Sequence, residues 1–532
     1  MQRPFAGSLI ASNPSCPAPL SITARVAKGS RRAARWLAIP PNAVLTLIAL
    51  SALMRLVFAG MMGLGIDESY MVSAGRHLQL SYFDHPPLSW WLTWSAVHLF
   101  NSETEVVVRL PFIVLFGFST WLMYRIGEIL FSARAALWAA VTFNLAPIFG
   151  VTTASWVLPD GPLDCVLLGL TLCLVRALSS SDLRWWIGVG VCGGLALLSK
   201  YTAVLTIAGI GLYLVTQSTD RRWLFRPEPY MAALIAATLF SPVLIWNAQH
   251  EWISFVFQGS RAGGSRLHPV APFTTLAGEA LFLLPWIWLP LTLVFVKALR
   301  KGPAKPDEWL LCCIGMVPIL TFSLIALWSR DRVSFHWAAP GYLMLFPLLG
   351  RAVAARLTRG DWLTRLWLIG NAVVVAGAVL IVASEVRWNW LSEVGEPFAL
   401  GKDPDLAAVD WTSLRTQLMQ RRLLDADTPV VATIRWYDAG KIDYALGGKV
   451  PVICLGNDPR EYGITEAAEK YLGRNVLIVA PRATMTEIEA GFGSMFANIE
   501  ALPPLILLHA GQEAMLIPLF LGNNQRRPPP AL

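Results

Sequence analysis

The sequence predicts a polytopic α-helical membrane protein of about eleven spans with a small α/β domain at its C-terminal end. Hydrophobic residues make up 55% of the 532, charged residues only 15%, and there are 23 Trp, with a mean hydropathy of +0.52. A soluble protein needs more polar surface than that. Apolar runs of roughly 17 to 25 residues, long enough to cross about 30 Å of hydrocarbon, recur along most of the chain. Beyond Arg387-Trp388-Asn389-Trp390 they give way to short strand-like runs.

The predicted spans lie near residues 38–62, 106–126, 134–151, 162–178, 185–199, 201–217, 230–247, 271–296, 309–328, 336–350 and 366–384. Several are short or carry Pro and Gly. Residues 1–37, rich in Pro, Ser and Arg without a sustained apolar run, read as a disordered cytoplasmic tail rather than a cleavable signal peptide. The formal charge of +8 does not imply nucleic acid, because Lys and Arg are scattered over short loops and form no aromatic-interleaved patch.

Those basic residues suit the positive-inside rule. With Arg31, Arg32 and Arg35 cytoplasmic, eleven spans also place inside the groups Arg125/Arg134, Arg221/Arg222/Arg226, Lys297/Arg300/Lys301/Lys305 and Arg351/Arg356/Arg359/Arg365. The first loop, the segments around Asp160 and His250, the 330–335 loop and everything after about residue 385 then lie outside. In a bacterium that means the inner membrane, with site and C-terminal domain periplasmic.

Within the membrane domain, 38–387, the first outer loop covers 63–105. Its stretch Leu88 to Phe100 carries Trp90, Trp91 and Trp94 and reads as a helix along the interface, where Trp is favoured. A short true span there would invert every later loop. In the domain at 388–532, Thr428 to Ile434, Val450 to Leu455 and Asn475 to Ala480 read as buried strands, with helical stretches near Asp438 to Leu446 and Thr465 to Leu472. The seven cysteines show neither metal-ligand nor disulfide spacing and read as small apolar residues.

Ionisable residues at membrane depth cost about 2.5 to 3.5 kcal/mol each, so they invite a functional explanation. Asp67 and Glu68 follow the first span, Asp160 and Asp164 open the fourth, and Lys200 joins the fifth and sixth. Arg55 and Glu279 lie within spans; the structural account pairs Arg55 with an acid. A carboxylate beside cations suits transfer from a phosphate-linked donor: the acid removes a proton from an acceptor hydroxyl while cations hold the leaving phosphate. Lys200 and His85 are the first candidates for the phosphate, Arg261 or Arg266 the next. Asp84, His85, His250 and His268 share a side and are also candidates for a divalent metal, without diagnostic spacing. Between Trp246 and Gln258 aromatic and polar groups alternate, His250 and Trp252 among them, which suits a sugar ring or an interfacial belt.

Asp67-Glu68-Ser69-Tyr70, Tyr82-Phe83-Asp84-His85-Pro86-Pro87, Arg109-Leu110-Pro111, Leu158-Pro159-Asp160, Leu198-Ser199-Lys200-Tyr201, Trp246-Asn247, His336-Trp337-Ala338-Ala339-Pro340 and Asp458-Pro459-Arg460-Glu461-Tyr462 follow one another in this order. Together they resemble the bacterial protein-mannosyltransferase and aminoarabinose-transferase-like enzymes, the family 39 group of the C-type membrane glycosyltransferases. The resemblance runs from about Val44 to beyond Pro459. It implies inverting transfer of a sugar from a polyprenyl phosphate to an extracytoplasmic acceptor: lipid A, its core sugars or another envelope glycolipid, with protein hydroxyls as the alternative. Asp67 would be the catalytic carboxylate, Asp160 the second acid and Lys200 a phosphate contact. Glu68, Tyr70, Tyr82, His85, His250, Trp252, Arg261 and His336 complete the expected substrate-binding set. In the aminoarabinose-transferase relatives a lysine stands at the position of His85; a histidine there can donate a hydrogen bond, but its charge depends on pH. A lipid or solute transporter is the rival from another class, disfavoured because the acids fall at span ends rather than centres; a non-catalytic envelope-assembly partner is the third.

Overall fold

The computed structural model describes residues 36–529 except 181, 265, 331–332, 389, 391–409, 426–429 and 510–511. The expected tail lies almost wholly outside the described residues. The chain is a mostly helical, multi-pass membrane protein. Six described helices are long and apolar enough to span: Pro40–Met61, Glu105–Leu130, Asp160–Ser180, Pro227–Gln249, Pro306–Ile325 and Trp362–Trp388. Two helix pairs, Ala271–Leu283 with Pro285–Ala304 and Phe335–Leu343 with Phe346–Thr358, are bent by 113° and 60° and bring the number to at most eight. Leu183–Ser199 and Ala203–Thr216 are apolar but shorter. The expectation of eleven thus exceeds what helix length supports. The first bend has a local cause: Leu284 takes a left-handed φ of 71° ahead of Pro285, a break that proline cannot bridge with an N–H.

Small residues let the helices approach closely, the usual device where lipid offers no hydrophobic drive. A Cβ on Gly350 would sit 2.3 Å from the Ala135 carbonyl oxygen, so helix Phe346–Thr358 can rest on Ala133–Leu145 only with glycine there. Helix Ala133–Leu145 ends early, and the chain passes through a π-turn, Ile148–Thr153. Arg55 donates from Nη2 and Nε to the Gly150 carbonyl of that turn, at 2.6 and 3.2 Å, and lies over the Phe116 ring. Among the described residues no acid pairs with it; the Gly150 carbonyl of the irregular turn takes that place.

Helix Leu88–Phe100 has 13 residues, about 20 Å at 1.5 Å per residue and too short to span. Trp90, expected at the interface, is instead fully buried and stacked on Tyr82 at 4.2 Å.

The C-terminal residues form a five-stranded mixed sheet in the order β2-β1-β3-β5-β4. Its strands are β1 (Val430–Thr433), β2 (Val452–Cys454), β3 (Val476–Val479), β4 (Asn498–His509) and β5 (Gln512–Asn523). The three expected apolar runs, β1, β2 and β3, lie where the sequence suggests; β1 is parallel to both β2 and β3, and every residue of the three is buried. The β4–β5 hairpin was not anticipated. Pro503 and Pro504 in β4 argue against a strand, but β4 is an edge, where a missing N–H costs little, and its register slips between Leu502 and Leu505. The expected helix over Thr465 to Leu472 is only a short turn, Tyr462–Thr465, and a 3₁₀ turn, Ala468–Tyr471.

This sheet unit packs on the first loop. Helix Trp436–Leu446 lies against Ile66–Ala74 so tightly that a Cβ on Gly440 would come 2.6 Å from the Tyr70 Cα. Leu64, Tyr70, Tyr82 and Trp90 share one apolar core with Val431, Leu477 and Leu519. Around it Arg76 bridges Glu103 and Asp443 at 2.8 and 2.6 Å. Glu461 enters the loop, accepting from Phe83 N–H at 2.9 Å and from Gln79 Nε2 at 2.5 Å. Burial lifts its carboxyl to about 8, against those two donors. An acid raised in the fold stabilises most below its unfolded pKa of about 4.3 and loses that contribution as pH climbs through about 8. Thermal unfolding followed from about pH 5 to 9 should therefore show stability falling with pH, and Glu461→Gln should flatten that slope. An unchanged slope in the variant would refute the assignment.

Candidate active site

The site is organised by two adjacent acids at the start of helix Ile66–Ala74. Successive residues of a helix point about 100° apart, so Asp67 and Glu68 face different surroundings. Glu68 is buried and meets Arg109 in a two-pronged pair, at 2.6 and 2.8 Å, while accepting from Gly65 N–H at 2.9 Å and Val157 N–H at 3.1 Å. Burial pushes its carboxyl up, but Arg109 and the two backbone donors more than offset this and hold it below the usual range. Arg109 also donates to the carbonyls of Ala59, Met62 and Gly63, at 3.2, 2.8 and 2.9 Å. One guanidinium thus ties the end of the first span to the acid loop and fixes where Asp67 stands.

Asp67 faces a polar cavity of about 430 Å³, whose walls also include Asp84, His85, Asp160, Lys200 and Arg460. Asp160 accepts from Lys200 Nζ on both oxygens, at 2.8 and 3.0 Å. Asp84 pairs with Arg460 Nη1 at 2.9 Å. Asp67 is exposed to the cavity and has neither kind of partner among the described hydrogen bonds. Its carboxyl is raised, first by the surrounding protein, against the pull of Arg460 and with the push of Asp84, Glu68 and Asp160. The N-terminal position on its helix favours the ionised form. A carboxylate so placed, poised toward neutrality, is suited to take a proton.

Of the residues expected from sequence, Asp67, Asp160, Tyr70, His85, Lys200, Arg261 and His336 line this cavity. Glu68, Tyr82, His250 and Trp252 do not. Glu68 has its acceptor capacity committed to Arg109 and the backbone. Tyr82 is fully buried and donates to the His77 carbonyl at 3.1 Å. His250 stacks on Trp246 at 4.1 Å, one helical turn earlier, and Trp252 points outward, 48% exposed. His85 is enclosed, and burial, with the nearby Lys200 and Arg460 charges, lowers it to about 4 despite Asp84. A histidine lowered in this way favours the neutral form, which keeps a hydrogen bond to offer rather than a charge.

Arg460 and Trp436 were missed as site residues, although Arg460 sits in a motif that the sequence singles out. Of the metal candidates, Asp84 is engaged by Arg460 and His250 lies elsewhere; among the described residues no three His, Cys, Asp or Glu side chains gather as a metal site.

Beside the polar cavity runs an apolar groove, also about 430 Å³, lined by Met54, Phe58, Val374, Ala378 and Val382. Ile148, Thr152, Trp156 and Phe282 belong to both. An amphiphile with a charged head and a long apolar tail fits that shape.

Nearly the whole chain superposes on the structure of ArnT from Cupriavidus metallidurans. In the apo state the TM-score is 0.60, and in the form bound to undecaprenyl phosphate it is 0.62; each alignment has 15% identity and covers 90% of this chain and 97% of that one. The fold is thus that of the ArnT structures. Residues 84–246 match the family described as dolichyl-phosphate-mannose-protein mannosyltransferase. A lipid A galacturonosyltransferase, RgtD of Rhizobium johnstonii, is 23% identical over 290 residues, which is 52% of this chain and 58% of that relative.

Proposed function

We propose that the protein transfers a glycosyl group, with inversion, from a polyprenyl-phosphate-linked sugar to an envelope glycolipid such as lipid A or its core, on the periplasmic face of the inner membrane. The observation that carries this reading is the continuity of the apolar groove with the cavity holding Asp67 and the Asp160–Lys200 pair. The prenyl chain lies in the groove, contributing about 0.8 kcal/mol per buried CH₂. The phosphate then rests at the junction near Lys200. Asp67 takes the proton of the acceptor hydroxyl as that oxygen attacks the anomeric carbon from the side opposite the phosphate. The carbon–phosphate-oxygen bond breaks, its electron pair leaves on the phosphate, and Lys200, oriented by Asp160, stabilises the charge.

The lipid A relative favours a glycolipid acceptor, whereas the matched family's description favours a protein hydroxyl. Incubating the purified protein with an undecaprenyl-phosphate sugar and either lipid A or unfolded periplasmic protein, then weighing both by mass spectrometry, separates them. The sugar mass is expected on lipid A; its appearance on protein alone would exchange the two readings. The groove has its own test. Ala378 is exposed on the groove wall, so Ala378→Trp fills it without disturbing a core and should weaken undecaprenyl-phosphate binding by about tenfold, roughly 1.4 kcal/mol. Unaltered binding would place the tail elsewhere.

A further inference from the structure

We infer that Arg460, carried by the C-terminal sheet unit, is a substrate-binding residue: it exchanges its pairing with Asp84 for an anionic oxygen of the bound donor. This rests on the glycosyl-transfer reading above and adds a residue to the site from a part of the chain that would otherwise only cap it.

The position is built rather than incidental. The guanidinium lies on the face of Trp436, 3.6 Å from the ring centroid, with Phe257 at 5.5 Å on another side. Such packing holds an arginine plane in one orientation. Arg460 Nη1 reaches Asp84, which also takes the Tyr70 hydroxyl on its other oxygen, at 3.4 Å. The buried Nε makes no hydrogen bond among the described residues; it faces Asp458 in an ion pair at 3.6 Å, too long for such a bond. A planar fork that keeps an N–H without a hydrogen bond is able to engage an oxyanion. The backbone at Arg460 is left-handed, φ 48°, a conformation that non-glycine residues hold only where the surroundings enforce it. The next residue, Glu461, supplies that enforcement by locking into the first loop. Strain, stacking and locking all serve to present one cation to the cavity that contains Asp67 and Lys200.

The anion is either the donor's phosphate or a carboxylate on its sugar. Binding of undecaprenyl phosphate alone, and of undecaprenyl-phosphate-linked galacturonic acid and galactose, is measured on the full-length protein in nanodiscs. The variants are Arg460→Gln, Arg460→Lys and Asp84→Asn, each checked by its melting temperature. Arg460→Gln is expected to weaken undecaprenyl phosphate about tenfold or more, with Arg460→Lys recovering part of the loss. Asp84→Asn, by releasing the arginine, should tighten binding. Opposite signs mark exchange with substrate, since a purely structural pair would make both changes harmful.

If Arg460→Gln spares undecaprenyl phosphate and galactose donor but weakens the galacturonic acid donor, the sugar carboxylate is the partner. Unchanged binding of all three ligands, or weakening by both Arg460→Gln and Asp84→Asn, overturns the inference. Should Arg460→Gln fail to fold, Asp84→Asn decides alone, tightening in support and weakening against. Wild-type protein that binds these lipids with the opposite-sign response but transfers no sugar would sink the glycosyl-transfer reading while leaving Arg460 a binding residue; wild type that binds none of them sinks both.

Discussion

Asp67→Asn should lower sugar transfer by about 10² to 10⁴-fold, the usual contribution of a positioned general base, while leaving the protein as stable as wild type or slightly more so. The second half follows from the sign of the carboxyl's shift. Enclosure and the neighbouring acids make ionised Asp67 costly in the fold, and a neutral amide of the same shape removes that cost. Transfer rates and melting temperatures of the same preparations check both halves. Loss of activity that tracks loss of folded protein would show that Asp67 holds the structure rather than performs the chemistry. The acid limb of the wild-type rate should also lie above the ordinary Asp range, near 3.9, because the proton must leave a carboxyl that the site holds high.

Arg109→Ala is expected to be damaging in the opposite way. Glu68 and Arg109 are 2% and 4% exposed, and removing one partner of a buried pair costs about 3 to 5 kcal/mol by stranding the other charge. The carbonyls of Ala59, Met62 and Gly63 lose their donor as well. Poor yield and a markedly lowered melting temperature should follow, and any protein that survives should transfer slowly because Asp67 has lost its fixed position. A variant that melts like wild type would show that the pair is not what anchors the acid loop. The expected contrast between neighbours is informative: losing the Asp67 carboxylate should cost chemistry and spare stability, whereas losing the partner of Glu68 should cost stability first.

Much of this arrangement was legible from the chain, and the parts that were not have a common cause. Asp67, Asp160 and Lys200 could be placed because span ends are readable from hydropathy and because charges there are expensive enough to need a reason. Glu68 was grouped with its neighbour because sequence adjacency says nothing about which side of a helix faces a cavity. Arg109 stood in a motif, but its partner lies 41 residues earlier, and Arg460 meets Asp84 across 376 residues; periodicity carries no trace of either contact. Fewer described helices reach spanning length than the eleven expected, because apolar stretches there form the shorter helices Leu183–Ser199 and Ala203–Thr216 or leave α-helix at the π-turn after Leu145, and apolar composition is the same either way. The β4–β5 hairpin escaped for the converse reason: its paired prolines look like a loop and are tolerated only because β4 is an edge.

The central claim, sugar transfer driven by Asp67 onto an envelope glycolipid, is tested most directly by mass spectrometry of envelope glycolipids from cells with wild-type protein, with Asp67→Asn and with no protein. One glycosyl mass increment on lipid A or core should be present in the first and missing from both others. Identical glycolipids in all three would contradict it.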